Sequence, residues 1–177
     1  MNKPSFEKSK GIRIMSNDRP LWAPWRIEFI TGEKEKRCFL CGKETVNPAW
    51  PEENLVIFRG KTSFVILNRY PYNSGHLMIA PYSHTGDISA LTTEERYEIM
   101  DLCVKAKEVL QKTIFPDAFN VGFNLGTAAG AGIADHLHMH IVPRWAGDTN
   151  FMPVISDTRC VPEALEATVA RIRANWK

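Results

Sequence analysis

The spacing of apolar residues switches from period two to a helical period partway along the chain, and this switch constrains the fold class. The segment NLVIFRGKTSFVILNRY predicts two strands joined by a turn at Arg59-Gly60-Lys61, and HLMIAP predicts a further strand ended by Pro81. A long helical segment comes next. After it, FNVGFNL predicts another strand, and Pro162 marks the first turn of a closing helix in PEALEATVARIRAN.

The helical segment, LTTEERYEIMDLCVKAKEVLQKTIF, has a clear start signal. Thr92 and Glu95 have the spacing of a capping box, in which each side chain bonds the other residue's backbone N–H. Buried residue types recur at helical intervals with charges between them: Ile99, Cys103, Ala106 and Leu110. Strands joined by hairpins and loops, one long inserted helix and a C-terminal helix predict an α+β fold on an antiparallel sheet of about five strands.

The length of 177 residues suits one domain with a full core and is short for two. Residues 1–20 mix charges and are poor in apolar residues, so we predict a mobile N-terminal arm there and a single domain over residues 21–177. Ordered structure is expected to begin at LWAPWRIEFI.

The composition limits the classes of partner. A hydrophobic content of 44% and a charged content of 24% are typical of a globular protein, and a formal net charge of +2 gives no large basic field for nucleic acid. The N-terminal stretch lacks the apolar run of a secretory signal, and no apolar stretch is long enough to cross a membrane. We therefore expect a cytoplasmic protein whose partners are neither nucleic acid nor membrane.

Three of the five histidines, His136, His138 and His140, alternate in the stretch ADHLHMHIVPRW. On a helix His138 would point away from the other two, and Pro143 favours extended geometry before it. The spacing therefore predicts a strand with the imidazoles on one face and apolar residues on the other. Imidazole can be a nucleophile, a general acid or a metal ligand near neutral pH, whereas the simpler interpretation is an ordinary amphipathic strand.

Cys38 and Cys41 have the C-x-x-C spacing with which two thiolates bind one zinc ion. Two other cysteines stand alone in apolar surroundings, Cys103 and Cys160. The remaining ligands of a tetrahedral site should therefore be histidines, and His84 and His136 are the available choices. The alternatives are a pair of reduced, metal-free cysteines or a redox pair.

The segment NLGTAAGAGIAD carries few bulky side chains just before the histidines, so its backbone N–H groups could approach phosphate oxygens. It matches neither a Walker loop nor the dinucleotide-binding fingerprint. Taken alone, it is equally well interpreted as a tight connection.

Two motifs carry a resemblance to a known family. HLHMHIVPRW resembles the histidine triad motif, and LNRYPYNSGHLMIAPYSH resembles the second signature of the same histidine triad, or HIT, family. The resemblance covers about residues 21 to 160. Within the family, LWAPWR, NRYPYN, GFNLGTAAGAG and VPRWAGDTNFMPV are most similar to the bacterial diadenosine tetraphosphate phosphorylase branch.

The resemblance implies a homodimer whose two sheets join, and catalysis through a nucleotidyl-histidine. By position, His138 would be the nucleophile that attacks the α-phosphorus, His140 would bind phosphate oxygens, and His136 would stand behind the nucleophile or ligate zinc. Adenine nucleotides or dinucleoside polyphosphates are the implied substrates, with water or inorganic phosphate completing turnover. The residues implied to bind the nucleotide are Asn68, near the nucleoside, and Asn124, Gly126, Thr127, Gly130, Ala131 and Gly132, near the phosphates.

One departure from the family pattern bears on the reaction. Many hydrolases of the family carry a glutamine and then a serine or threonine where this chain has Gly132 and Ile133. Neither residue offers a side chain that orients water, so the sequence favours phosphorolysis of diadenosine tetraphosphate to ADP and ATP.

Several alternatives stay open from the sequence. Hydrolysis of dinucleoside polyphosphates and nucleoside phosphoramidase activity are the enzymatic ones, and a zinc-stabilised nucleotide-binding protein without turnover is the alternative of another class. His76 is expected near the site, with a packing role as an equal alternative, and the place of Trp145 is not predicted.

Overall fold

The computed structural model describes residues 38–49, 51–148 and 163–177. Within them one antiparallel sheet has the strand order β1-β2-β3-β5-β4. Its strands are β1 (Val56–Arg59), β2 (Ser63–Leu67), β3 (Leu77–Pro81), β4 (Ala118–Phe123) and β5 (Met139–Arg144). The described residues form two α-helices, α1 (Thr93–Ile114), between β3 and β4, and α2 (Leu165–Asn175), after β5. This confirms the predicted α+β fold with one inserted helix and one C-terminal helix.

Helix α1 begins where the sequence predicts. The side chain of Thr92 accepts the backbone N–H of Glu95, and the Glu95 carboxylate accepts the backbone N–H of Thr92, which completes the capping box. The face of α1 that packs on β2, β3 and β5 is buried, including the four residues predicted from the helical spacing. Because α1 covers one face of the sheet, the opposite face of β5 is left for functional side chains.

The strands β2 and β3 form the centre of the core, since every one of their residues is buried. They pair in continuous register from Ser63 opposite Pro81 to Leu67 opposite Leu77. Strand β5 joins the other side of β3, with Met78 opposite His140. The core therefore fixes the strand from which the third histidine of the row projects.

Two predicted boundaries were wrong. The strand that carries the histidine row begins at Met139, so only His140 lies in it, because the segment before it bonds to the loop after β3 instead of extending the sheet. The closing helix begins at Leu165, with Ala164 as its N-cap, rather than around Pro162.

Some predictions fall outside the described residues. These are the N-terminal arm of residues 1–20, the start of order at 21–30, and the surroundings of Cys160 and Pro162. Among the described helices, none combines the length and apolar character needed to cross a membrane.

Candidate active site and metal centre

Backbone carbonyl groups fix which ring nitrogen carries the proton in His136 and His138. Nδ1 of His138 lies 2.8 Å from the carbonyl oxygen of His136, and Nε2 of His136 lies 2.9 Å from the carbonyl oxygen of Pro81. A carbonyl oxygen only accepts hydrogen bonds, so each of these nitrogens carries a proton and donates it. In the neutral rings the lone pairs are therefore on Nε2 of His138 and on Nδ1 of His136.

His76 fixes the proton of His140 in the same way. The backbone N–H of Tyr72 donates to Nδ1 of His76 at 3.1 Å, and Nδ2 of Asn68 lies 3.3 Å from the same nitrogen. The proton of neutral His76 is therefore on Nε2, which lies 2.9 Å from Nδ1 of His140. Because His140 accepts at Nδ1, its own proton is on Nε2. That nitrogen is buried and has no hydrogen-bond partner among the described residues.

Burial holds the histidine rings in their neutral forms. It lowers the pKa of His76 to about 3, with a further contribution from positive charge on His140 and His138. It lowers the pKa of His140 to about 4, again with His138 as the second cause. Burial also lowers the pKa of His138 and of His136. At pH 7 the row therefore consists of uncharged imidazoles.

The rings of His138 and His140 lie edge to face, with their centroids 4.9 Å apart. His138 offers a lone pair at Nε2, whereas His140 beside it offers an N–H donor. An electrophilic phosphorus placed against His138 would therefore have a hydrogen-bond donor for its oxygens at hand. The two rings have complementary chemistry although they are the same residue type.

The four predicted metal ligands converge at the beginning of the histidine row. Nδ1 of His136 lies 3.4 Å from Sγ of Cys38, 3.5 Å from Sγ of Cys41 and 3.3 Å from Nδ1 of His84. Sγ of Cys41 lies 3.2 Å from Nδ1 of His84, and all four ligand atoms lie within 4.8 Å of one another. The spacing predicted from sequence is therefore matched by a compact cluster.

The geometry of the cluster fits a tetrahedral ion. A zinc ion bound by sulfur at about 2.3 Å and nitrogen at about 2.0 to 2.1 Å keeps its ligand atoms roughly 3.3 to 3.8 Å apart. Nδ1 of His136 carries the lone pair that a ligand needs, because Nε2 donates to the Pro81 carbonyl oxygen. The distances of His136 Nδ1 to the other three ligand atoms, and that between Cys41 and His84, are close to these separations, so the four residues could hold a metal ion.

Two loops meet at this cluster. The backbone N–H of Leu137 donates to the carbonyl oxygen of Thr85 at 2.7 Å, which joins the loop after β3 to the segment before β5. At Gly86 an added Cβ would lie 2.2 Å from the carbonyl oxygen of Ala134. Only glycine allows the two backbones to approach so closely.

The loop predicted to cradle phosphate is a short turn, Thr127–Ala129, between Gly126 and Gly130. Both glycines have φ in the left-handed region, 82° and 87°, which favours glycine. The backbone N–H groups of residues 129, 130 and 131 donate to carbonyl oxygens of the loop itself. Those three amides are therefore engaged within the turn, which the sequence motif alone does not reveal.

The other residues implied to bind nucleotide lie on two sides of His76. Asn68 accepts the N–H of Tyr70 at 2.9 Å and contacts Nδ1 of His76, so its described contacts position that ring. Asn124 lines a cavity of about 410 Å³ that adjoins His140. Gly132 and Ile133 lie in a bend between the small-residue turn and the histidines.

Sequence reasoning missed most of the residues that line this cavity. Tyr72 and Asn73 come from the loop between β2 and β3, Asn120 and Gly122 from β4, and Arg144 from β5. A signal was present, since Asn120 and Gly122 lie two residues apart and thus share one face of β4, and Asn124 directly follows the strand.

Arg144 joins the elements around the cavity. Its guanidinium donates to both carboxylate oxygens of Asp148, at 2.5 and 2.8 Å, and to Oδ1 of Asn120 at 2.7 Å. Asp148 also accepts from Nδ2 of Asn73 at 2.8 Å. The positive charge of Arg144 is therefore balanced by Asp148, and the loop that carries Tyr72 is tied to the sheet.

Trp145 is placed at the end of α1. Its indole N–H donates to the carbonyl oxygen of Phe115 at 3.1 Å, and its side chain does not line the cavity. The following residues 149–151 lie outside the described part of the chain.

Comparisons with known proteins agree with this architecture. An AP-4-A phosphorylase of Mycobacterium tuberculosis is 39% identical over 176 residues, covering 94% of this chain and 89% of the relative. A bis(5'-nucleosyl)-tetraphosphatase of Schizosaccharomyces pombe is 29% identical over 56% of this chain and 54% of its own length. The crystal structure of a zinc-bound histidine triad protein from Mycobacterium smegmatis is similar with a TM-score of 0.57, at 25% identity over 69% of this chain and 83% of that one. The HIT domain family model matches residues 51–147, and with these relatives it shows that the chain belongs to the HIT family.

Proposed function

We propose that this protein is a nucleotidyltransferase that cleaves diadenosine tetraphosphate by phosphorolysis to ADP and ATP. The observation that carries the proposal is the complementary pair formed by His138 and His140. One neutral ring has its lone pair on Nε2, and the adjacent ring has its proton on Nε2. A reaction that needs a nucleophile and an oxygen-binding donor side by side matches this arrangement.

The first step is transfer of the adenylyl group to the protein. Nε2 of His138 attacks the α-phosphorus, a P–N bond forms, and the P–O bond to the departing ATP breaks. Nε2–H of His140 donates to a phosphate oxygen during this step. His136 holds the nucleophile through its backbone carbonyl oxygen, which keeps the proton of His138 on Nδ1.

The second step regenerates the histidine. An oxygen of inorganic phosphate attacks the same phosphorus, the P–N bond breaks and ADP forms. Gly132 and Ile133 support phosphate rather than water as the acceptor, because neither has a side chain that hydrogen-bonds and orients a water molecule. The relationship to an AP-4-A phosphorylase at 39% identity supports the same choice.

Product identification tests the proposal. The protein is incubated with diadenosine tetraphosphate with and without inorganic phosphate, and the nucleotides are separated. We expect ADP and ATP only when phosphate is present, and no turnover by His138→Ala. AMP and ATP in the absence of phosphate would mean hydrolysis. Nucleotide binding without turnover by the wild type would favour a binding protein.

The metal ion of the cluster is proposed to be zinc. Two thiolates and two imidazoles are the donor set that zinc prefers, and a solved relative is zinc-bound. Bound there, the ion would hold the start of the histidine row to the loop after β3. Metal analysis of protein purified without added metal should give about one zinc per chain, and Cys38→Ser should lose most of it. Less than about one atom in five chains would contradict the proposal.

The assembly is proposed to be a homodimer in which two β4 strands pair. Among the described residues β4 pairs only with β5, and it exposes Val121, which retains 49% of its accessible surface. Unpaired strand edges tend to associate with other chains. Light scattering after gel filtration should give the mass of two chains, and Val121→Lys should shift the protein toward the mass of one.

A further inference from the structure

The cavity of about 410 Å³ next to His140 has no role in the two chemical steps proposed above. His140 lines it, whereas His138 and Asn68 do not. Asn68 contacts Nδ1 of His76, and His140 contacts Nε2 of the same ring. A substrate held at His140 therefore has two regions within reach, the surroundings of Asn68 and the cavity, which Asn68 does not line.

Gly122 is the feature that keeps this cavity open. It lies inside β4 directly opposite His140 in the strand register, and an added Cβ would meet no atom within 4 Å. Its φ is not in the left-handed region, so the backbone does not require glycine there. Glycine inside a strand weakens it, and such a residue often marks a place where a ligand approaches closely. The missing side chain therefore leaves free space over the sheet beside His140.

The lining of the cavity suits a nucleoside better than a phosphate group. Tyr72 packs on the ring of His76, with centroids 4.7 Å apart, and still retains 39% of its accessible surface. Aromatic rings of this kind stack on nucleobases. The side chain of Asn124 makes no hydrogen bond among the described residues, so its amide is available to a polar group. Arg144 is balanced by Asp148, which leaves no uncompensated positive charge for a second phosphate chain.

The size of the cavity leads to the same conclusion. Pockets of about 300 to 1,000 Å³ hold molecules of drug size, and a nucleoside falls in that class. An inorganic phosphate ion alone would leave most of the space to water.

We propose that this cavity binds the nucleoside of the departing nucleoside triphosphate, and that Gly122 sets the space available to it. The inference rests on the proposed function, because it assigns a place to the second half of the same substrate. In an in-line displacement the nucleophile and the leaving oxygen are on opposite sides of the phosphorus, so the two halves of the substrate need separate sites. The cavity beside His140 supplies the second one.

Equilibrium binding tests the proposal with catalysis removed. In a His138→Ala background, the dissociation constants of diadenosine tetraphosphate and of AMP are measured by calorimetry, with and without Gly122→Val. The larger ligand needs both nucleoside sites, whereas AMP needs only the site of the transferred nucleotide. We expect Gly122→Val to raise the dissociation constant of diadenosine tetraphosphate at least tenfold more than that of AMP. Gly122→Ala should have a smaller effect.

The matched control is Ala118→Val, which adds a similar side chain at an exposed position of the same strand outside the cavity. It should leave the ratio of the two dissociation constants unchanged. If Gly122→Val weakened the binding of both ligands equally, or did not weaken the binding of either, the inference would be overturned. Failure of the wild type to turn over diadenosine tetraphosphate is a separate result, which would refute the proposed function instead.

Discussion

Replacing His76 by glutamine should reduce the loss of stability that the protein suffers between pH 7.5 and pH 5. His76 is fully buried, and burial lowers its pKa from 6.5 to about 3. As the pH falls below 6.5 the unfolded chain binds a proton at this residue, whereas the folded chain does not. The stability due to neutral His76 is therefore present above pH 6.5, declines toward pH 3, and falls no further below that.

The magnitude follows from the two pKa values. One pKa unit corresponds to about 1.36 kcal/mol, so at pH 5, about 1.5 units below the pKa of the unfolded chain, His76 costs about 2 kcal/mol of unfolding free energy. His140, with a pKa lowered to about 4, contributes a loss in the same direction over the same range. Carboxyl groups are largely ionised in both states at pH 5 and add little to the difference.

Urea unfolding at pH 7.5 and pH 5 measures this effect for the wild type and His76→Gln, with the same metal content in each sample. The quantity compared is the change in unfolding free energy between the two pH values, so any uniform destabilisation by the substitution cancels. The wild type should lose about 2 kcal/mol more than the variant. Equal losses would mean that His76 takes up a proton in the folded protein, and the assignment of its Nδ1 as the acceptor of the Tyr72 backbone N–H would then be wrong.

Two further predictions concern the metal loops and helix α1. Gly86→Ala should lower the midpoint of thermal unfolding and the affinity for zinc, because its Cβ would lie 2.2 Å from a backbone oxygen. Gly122→Ala, whose Cβ meets no atom within 4 Å, is the matched control and should lower neither. If both variants bind zinc alike, the close approach of the two loops does not matter for the site. Thr92→Ala should cost about 1 kcal/mol of unfolding free energy through loss of the capping box, whereas Thr93→Ala, one residue into the helix, should cost less. Equal costs in denaturant unfolding would show that the cap contributes no special stability.

Much of the fold could be predicted because its signals are local. The change of apolar period, the capping box at Thr92 and the turn between β1 and β2 each depend on a few neighbouring residues, and the structure confirms them. The predicted start of β5 was wrong because of a contact with a distant part of the chain. The strand pattern continues back to His136, but Leu137 bonds to the loop after β3, and this contact ends the sheet pairing at Met139.

The candidate site likewise has some features with a local sequence signal and others that depend on distant residues. The spacing of Cys38 and Cys41 predicts a metal site, and His84 and His136 were the histidines predicted to complete its ligand set. The proton positions on His138 and His140 depend on a carbonyl oxygen and on His76, which comes 64 residues before His140 in the chain. No spacing rule encodes such contacts. The cavity was missed because Gly122 matters through the absence of a side chain, which a search for reactive residues does not register.

The hydrogen bonds from the Tyr72 backbone through His76 to His140 all run in one direction. The first donor in this series of hydrogen bonds is a peptide N–H rather than a side chain. A single mutation can delete a hydroxyl or an amide side chain, but a peptide donor is lost only by substitution to proline. Any substitution of Tyr72 except proline would therefore remove the ring that packs on His76 but keep the peptide donor, and with it the proton at the far end of this series of hydrogen bonds.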